Sequence, residues 1–288
     1  PDMDQLGENS AAAVIASGKG NMTAAPVIVN LTPDGSFHRY FLHAEKDSTL
    51  RVAFLSNSEK EETRPFALQV KIYAEEGSHV ELTMPQMLGT EVLDLTDIGG
   101  LLEKGASVEL VKMELGAEKV YTGALMTLKG DGSSFTAHIG YQGFTGQHLD
   151  MNYVARHLGR KTESLMESNG VLNGNAFKLF RGSIDFVKGC AGSVGNEKED
   201  VLLLGDDVVN QTIPLILCAE EDVEGNHGAS IGELDEKTLF YLMSRGFTKE
   251  AAEAMIAGAR LEAIAAEIPV PEVREQVEKY LEEQHEEL

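Results

Sequence analysis

The sequence predicts a mainly β protein: a parallel β-solenoid core over residues 26–232, a small C-terminal α-helical domain over 233–288, and a mobile or loosely packed arm over 1–25. Three observations carry this. The segment Gly77-Ser78-His79-Val80-Glu81-Leu82 returns as Gly105-Ala106-Ser107-Val108-Glu109-Leu110 and, more loosely, as Gly132-Ser133-Ser134-Phe135-Thr136-Ala137. Between Val27 and Ala219 the apolar residues fall in short runs with β-branched and aromatic members. After Gly232 the apolar period changes from two to that of a helix.

The repeat sets the core. A turn glycine followed by a short alternating strand, recurring every 28 or 27 residues, is what a solenoid turn requires: one tight corner and an inward apolar residue at every second position. Runs such as Val27-Ile28-Val29, Phe37 to Leu42, Leu50 to Leu55 and Phe66 to Tyr73 then read as strands. A β-sandwich is the nearest rival. Its strands recur every 8–12 residues or so around hairpin turns, and the Asn-Gly or Asp-Gly pairs, Asp34-Gly35, Asp131-Gly132, Asn169-Gly170 and Asn173-Gly174, are too few for that spacing. The spacing favours the solenoid.

The helical domain follows from its punctuation. Asp235 caps a first helix carrying Leu239, Leu242 and Met243, and Gly246 ends it. Thr248 starts a second, with Ala254, Gly258, Leu261, Ala265 and Ile268 at helical spacing up to Pro269. Pro271 opens a third, with Val273, Val277, Tyr280 and Leu281 on one face. Such a unit is expected to cap the solenoid's end and to offer a docking surface.

Composition limits the function. With 47 acidic against 24 basic residues, a net charge of −23 repels phosphate backbones and anionic lipid, so nucleic acid and membrane are not expected as partners. The acidic start and the six-residue apolar run Ala11 to Ala16 fit neither a secretory segment nor a span, and a cytoplasmic location is expected. There is no tryptophan, which argues against a sugar-stacking surface. Gly159-Arg160-Lys161-Thr162 has the wrong order for a phosphate-cradling loop, so an ATP-dependent role needs a partner that carries the ATPase.

The groups able to carry chemistry are few. Asp206-Asp207 and Glu220-Glu221-Asp222 read as solvated turns rather than a glycosidase carboxylate pair. His79, His138 and His148 read as surface or edge residues, and no zinc-ligand spacing occurs. The two cysteines, Cys190 and Cys218, are 28 residues apart, one interval of the repeat. They are either two thiols on neighbouring turns, suited to iron, zinc or a nascent cluster or able to oxidise to a disulfide, or two small buried hydrophobes.

Residues 177–247 are more specific. Phe180-Arg181-Gly182-Ser183-Ile184-Asp185-Phe186, Leu202-Leu203-Leu204-Gly205-Asp206, Ile213-Pro214, His227-Gly228-Ala229-Ser230, Leu239-Phe240-Tyr241-Leu242 and Ser244-Arg245-Gly246 stand in an order and spacing that resemble the C-terminal part of the SufB/SufD family of iron–sulfur cluster assembly scaffolds. With Arg64-Pro65 and the Glu76 to Val80 segment, the likeness covers roughly 40–270.

The resemblance implies a right-handed parallel β-helix and a non-catalytic scaffold with no tightly bound cofactor, a transient iron–sulfur cluster being its cargo. It implies a SufC-like ABC ATPase docked on the C-terminal helices, at Leu239, Phe240, Tyr241 and Arg245, and a homodimer or a heterodimer with a SufB-like paralogue formed through the β-helix. His227 matches the interface histidine of SufD. Where SufB has its cysteine, before the Leu-Leu-Ile-Gly-Asp run, this chain has Glu199, and the SufB glutamate after the histidine is Gly228, so the chain is SufD-like. It is also shorter than typical members. Without a separate SufB, the candidate cluster ligands are Cys190, Cys218, Glu199 and His227, on a homodimer. Two rivals remain, a polysaccharide-active solenoid enzyme and a purely structural solenoid module; the latter predicts that Cys190, Cys218 and His227 are all dispensable.

Overall fold

The computed structural model describes residues 12–20 and 25–286. The odd-numbered strands form one parallel eight-stranded sheet: β1 (Ala13–Ala16), β3 (Phe37–Ala44), β5 (Phe66–Ala74), β7 (Leu93–Leu102), β9 (Lys119–Leu128), β11 (His148–His157), β13 (Phe177–Phe186) and β15 (Val209–Cys218). The even-numbered strands form the second: β2 (Val27–Leu31), β4 (Thr49–Asn57), β6 (His79–Met87), β8 (Ser107–Glu114), β10 (Ser134–Gly143), β12 (Glu163–Leu172), β14 (Ser193–Leu203) and β16 (Val223–Glu233). Each strand thus pairs with the strand two later in sequence, which makes a β-solenoid of two strands per turn. The repeat maps onto consecutive turns, because Ser107 is the register partner of both His79 and Ser134.

The corners before the six even strands from β4 to β14 have a shared construction. Asp47, Gly77, Gly105, Gly132, Lys161 and Gly192 all have positive φ, between 53° and 77°. Their N–H groups donate to the carbonyls of Glu76, Lys104, Asp131, Arg160, Ala191 and Asp222 on the following turn. Glycine takes this conformation at no steric cost, and the two non-glycine corners are the reason the sequence repeat fades outside three turns. At four of them the hydroxyl of the next residue closes the corner: Ser48, Ser78, Ser133 and Thr162 donate to the carbonyls of Glu45, Glu75, Gly130 and Gly159.

Alternation fills the interior between the sheets with residues such as Leu68, Val70, Val108, Leu110, Phe135, Ile139, Met151 and Phe180. A second core lies on the outer face of the even sheet, where Leu55, Val111, Met113 and Leu115 meet Leu261, Ile264, Val273, Val277 and Leu281. Each such side chain contributes about 1.5–3 kcal/mol when fully buried. The helices there are α1 (Glu236–Ser244), α2 (Lys249–Ala265) and α3 (Pro271–Glu286). Asp235 and Thr248 accept the backbone N–H of Thr238 and Ala251, and Gly246 has φ +97°, so the predicted caps and stop are the ones used. Helix α2 stops at Ala265 rather than Ile268, and a tight turn with Glu267 and Ile268 donating back to Ile264 and Ala265 leads to Pro271.

Two expectations change. The helices do not close the solenoid's end: α2 lies along the side, over β8, β10 and β12, because the apolar stripe Leu261–Ile264–Ala265 matches the apolar outer face of the even sheet. Gly140 permits the approach, since a Cβ there would sit 3.2 Å from Ile264. Within the expected N-terminal arm, Ala13–Ala16 pair with Tyr40–His43 as a regular strand; residues 1–11 and 21–24 lie outside the described residues. Among the described residues no helix is long and apolar enough to cross a membrane.

Candidate functional site at the open end

Among the described residues, the last turn of the solenoid is uncovered. Strands β15 and β16 each have a neighbour on one side only, so one row of backbone N–H and C=O groups in each is unpaired. Val209, Ile213, Leu215 and Leu217 on β15 and Ile231 on β16 are exposed. An apolar patch joined to two open strand edges is a surface made for another chain.

Behind this end the interior turns polar. Lys178 on β13 and Glu199 on β14 face each other across the lumen, both side chains 0% exposed, with Nζ 2.5 Å from Oε1. Lys178 also donates to Asn210 Oδ1 at 2.9 Å and Thr212 Oγ1 at 3.0 Å. Glu199 accepts from the Tyr141 hydroxyl at 2.9 Å and from Thr212 Oγ1 at 2.7 Å. Burial holds the Lys178 ammonium below its ordinary range, opposed by the Glu199 charge. Burial raises the Tyr141 phenol well above its own, and Glu199 adds to that rise. Gly170 makes the room, since a Cβ there would lie 2.0 Å from the Tyr141 ring. The network is saturated: every polar atom of the ion pair has a partner, as a buried pair requires.

The four candidate ligands are placed differently from one another. Glu199 is committed to the network, with both oxygens engaged. Cys190 is buried in the corner between β13 and β14, where desolvation pushes its thiol up. Cys218 is exposed at the end of β15, in register with Phe186. The thiols do lie on neighbouring turns, but the hydrogen bond from Gly192 to Asp222 aligns the Cys190 corner with residues after Cys218. His227 lies on exposed β16 in register with Glu197, and its alternation with Gly225, which faces Ile216 and Phe186, turns it toward the lumen mouth. Among the described residues no three His, Cys, Asp or Glu side chains converge to hold a metal ion. The accessible soft and borderline donors are Cys218 and His227, at the rim of the open end.

Glu197 sits between the network and the rim. A Cβ at Gly182, across the lumen, would be 2.4 Å from its carboxylate. Burial, reinforced by the Glu199 charge and opposed by Lys178, pushes its carboxyl up to about 7 from an ordinary 4.5. The folded chain therefore keeps a proton that the unfolded chain loses as pH rises from about 4.5 to about 7, and the stability contributed by Glu197 falls across that window. Glu197→Gln is expected to gain on wild type over this range by up to about 1.4 kcal/mol per pH unit. Denaturant titrations at pH 5 and pH 8 check it; an equal difference at both would refute the assignment. Buried His157, held down to about 4, has the opposite slope below pH 6.5, but it is common to both proteins and cancels.

Sequence reasoning missed Lys178, Tyr141 and Glu197. The available signal was parity: in Phe177-Lys178-Leu179-Phe180 the lysine shares a face with Phe180, so extending the glycine register to β13 would have placed an ammonium inside.

Helix α1 is the second exposed feature. Phe240 is 75% exposed, Tyr241 and Met243 are exposed, Leu239 is half-buried, and the Arg245 guanidinium lies 5.2 Å from the Tyr241 ring centre.

Comparison with known proteins bears on both features. Residues 27–260 match the SufBD core domain of SUF system FeS cluster assembly. An iron–sulfur cluster assembly SufBD family protein of Mycobacterium leprae is 29% identical over 202 residues, which is 70% of this chain and 23% of that protein. The iron–sulfur cluster assembly protein SufB of Bacillus subtilis is 27% identical over 202 residues, 70% of this chain and 43% of SufB. SufD of the same organism is 31% identical over 126 residues, 44% of this chain and 29% of SufD. The chain thus spans less than half the length of each of these relatives. The match runs through the solenoid, its open end and α1 into α2, and on that extent the chain belongs to the SufBD core family of iron–sulfur cluster assembly proteins.

Proposed function

We propose that this chain is a non-catalytic scaffold subunit of a cytoplasmic SUF-type complex, in which it pairs through the open end of its solenoid with a second copy or a SufB-like paralogue. A SufC-like ABC ATPase docks on α1, through Leu239, Phe240, Tyr241 and Arg245. The observation that carries this reading is the uncovered last turn: apolar side chains and two open edges next to Cys218 and His227. Two such ends brought together would juxtapose thiol and imidazole donors from both chains at one interface. Among the described residues one chain gathers too few donors, which supports a nascent cluster carried as cargo between partners. Cys190, buried, has a packing role in this scheme, and Glu199 supports the end of the lumen.

The pairing is tested by light scattering on the purified chain, alone and with the paralogue where the cell has one. Leu215→Asp combined with Ile231→Asp is expected to weaken association by about 100-fold or more, since charges placed at an apolar interface are left desolvated. A monomeric wild type in both settings, or a dimer unaffected by the substitutions, would overturn this geometry.

A further inference from the structure

Between the first turns of α2 and the ends of β10 and β12 lies a pocket of about 240 Å³. Its floor includes Gln142, which is 3% exposed and whose Oε1 has no hydrogen-bond partner. Asn173, Glu250 and Glu253 supply further polar groups, and Leu204 and Ala257 form apolar wall. An unpartnered buried acceptor is destabilising, and a site that retains one is short of a donor. Two carboxylates beside it specify the sign of that donor. Glu253 has one intrahelical contact, at 3.6 Å from exposed Lys249. The N-terminus of α2 itself opposes a cation, but its dipole amounts to roughly half a positive charge, against two full negative ones.

We propose that this pocket receives the guanidinium of an arginine presented by the protein that docks on α1, an inference that rests on the docking role assigned to that helix. Arginine fits for three reasons. Its planar head carries five N–H donors and no acceptor, matching a pocket whose polar lining offers carboxylate and amide oxygens. Its aliphatic stem can lie along Leu204 and Ala257. The pocket also adjoins the docking helix, since α2 begins four residues after Arg245, the residue that ends α1. The docking surface then combines an apolar helix, centred on Phe240, with a charged anchor beside it, which fixes the orientation of the partner as well as its affinity.

The test uses the full chain and a small probe, Nα-acetyl-arginine methylamide, with the isosteric but uncharged citrulline analogue as control. Backbone and side-chain amide resonances of Gln142, Ala254 and Ala257 are expected to shift saturably with the arginine probe, in the range of about 1 mM. The citrulline analogue is expected to leave them in place, and Glu250→Gln with Glu253→Gln to abolish the effect. With the ATPase, the same double variant is expected to lose about 10-fold or more in affinity, while Glu262→Gln with Glu275→Gln, an equal change of charge elsewhere, loses little. Equal shifts with both probes, no saturable shift, or an ATPase affinity unchanged by the double variant would overturn the inference. If the wild-type chain does not bind the ATPase at all, the docking role of α1 fails, and the probe titration still decides the chemistry of the pocket.

Discussion

Lys178→Met is expected to destabilise the chain by about 3–5 kcal/mol, because it leaves the Glu199 carboxylate buried with no countercharge. The length of the side chain is kept, so the loss is that of the ammonium and its three partners, Glu199, Asn210 and Thr212. Hydrogen bonds from Tyr141 and Thr212 to Glu199 persist and soften the effect without neutralising the charge. At about 2–4 °C per kcal/mol for a domain of this size, the midpoint of thermal unfolding should fall by about 10 °C. Adding Glu199→Gln removes the orphaned charge and should recover a large part of the loss. A single-variant cost below about 1 kcal/mol, or no recovery in the double variant, would contradict the buried pair.

Phe240→Asp is expected to abolish binding of the ATPase while leaving stability within about 0.5 kcal/mol of wild type. The two halves of this expectation have one origin. Phe240 projects from α1 into solvent, so the chain's own fold gains little from it, whereas an exposed aromatic on a capped helix is the kind of residue that anchors an interface, at about 2–4 kcal/mol. Tyr241→Asp should act in the same direction and should also release Arg245 from its ring contact. Calorimetric titration of the ATPase into each variant, beside a thermal melt, checks both halves. Retained affinity in Phe240→Asp would move the docking site elsewhere.

The reach of the sequence differs between fold and site. The glycine corners at 77, 105 and 132 disclosed the solenoid because the left-handed corner conformation selects glycine, and the caps Asp235 and Thr248 disclosed α1 and α2 because few side chains can satisfy the first helical N–H groups. The same corner at Asp47 and Lys161 was invisible, since aspartate is only modestly enriched at positive φ and lysine does not announce it at all. That the helices lie along the side of the solenoid was hidden as well. It depends on Val111, Met113 and Leu115 facing outward, and an apolar residue on an outer face reads locally like one on an inner face. At the site, family likeness singled out His227 and α1, and the 28-residue cysteine spacing singled out Cys218 together with Cys190. The likeness offered Glu199 as a ligand, whereas the partners that engage this carboxylate, Thr212, Lys178 and Tyr141, are 13, 21 and 58 residues away in sequence and meet it only through the stacking of turns.

Cluster assembly at the paired open ends is tested most directly by anaerobic reconstitution of the assembled complex with iron and sulfide, followed by visible absorption. Wild type, Cys190→Ser, Cys218→Ser and His227→Ala are compared. Cluster absorption is expected in wild type and in Cys190→Ser, whose thiol is buried in a corner. It is expected to be lost in Cys218→Ser and His227→Ala, which remove the two donors at the rim. No cluster in the wild-type complex, or equal absorption in all four proteins, would contradict a cluster held at this interface.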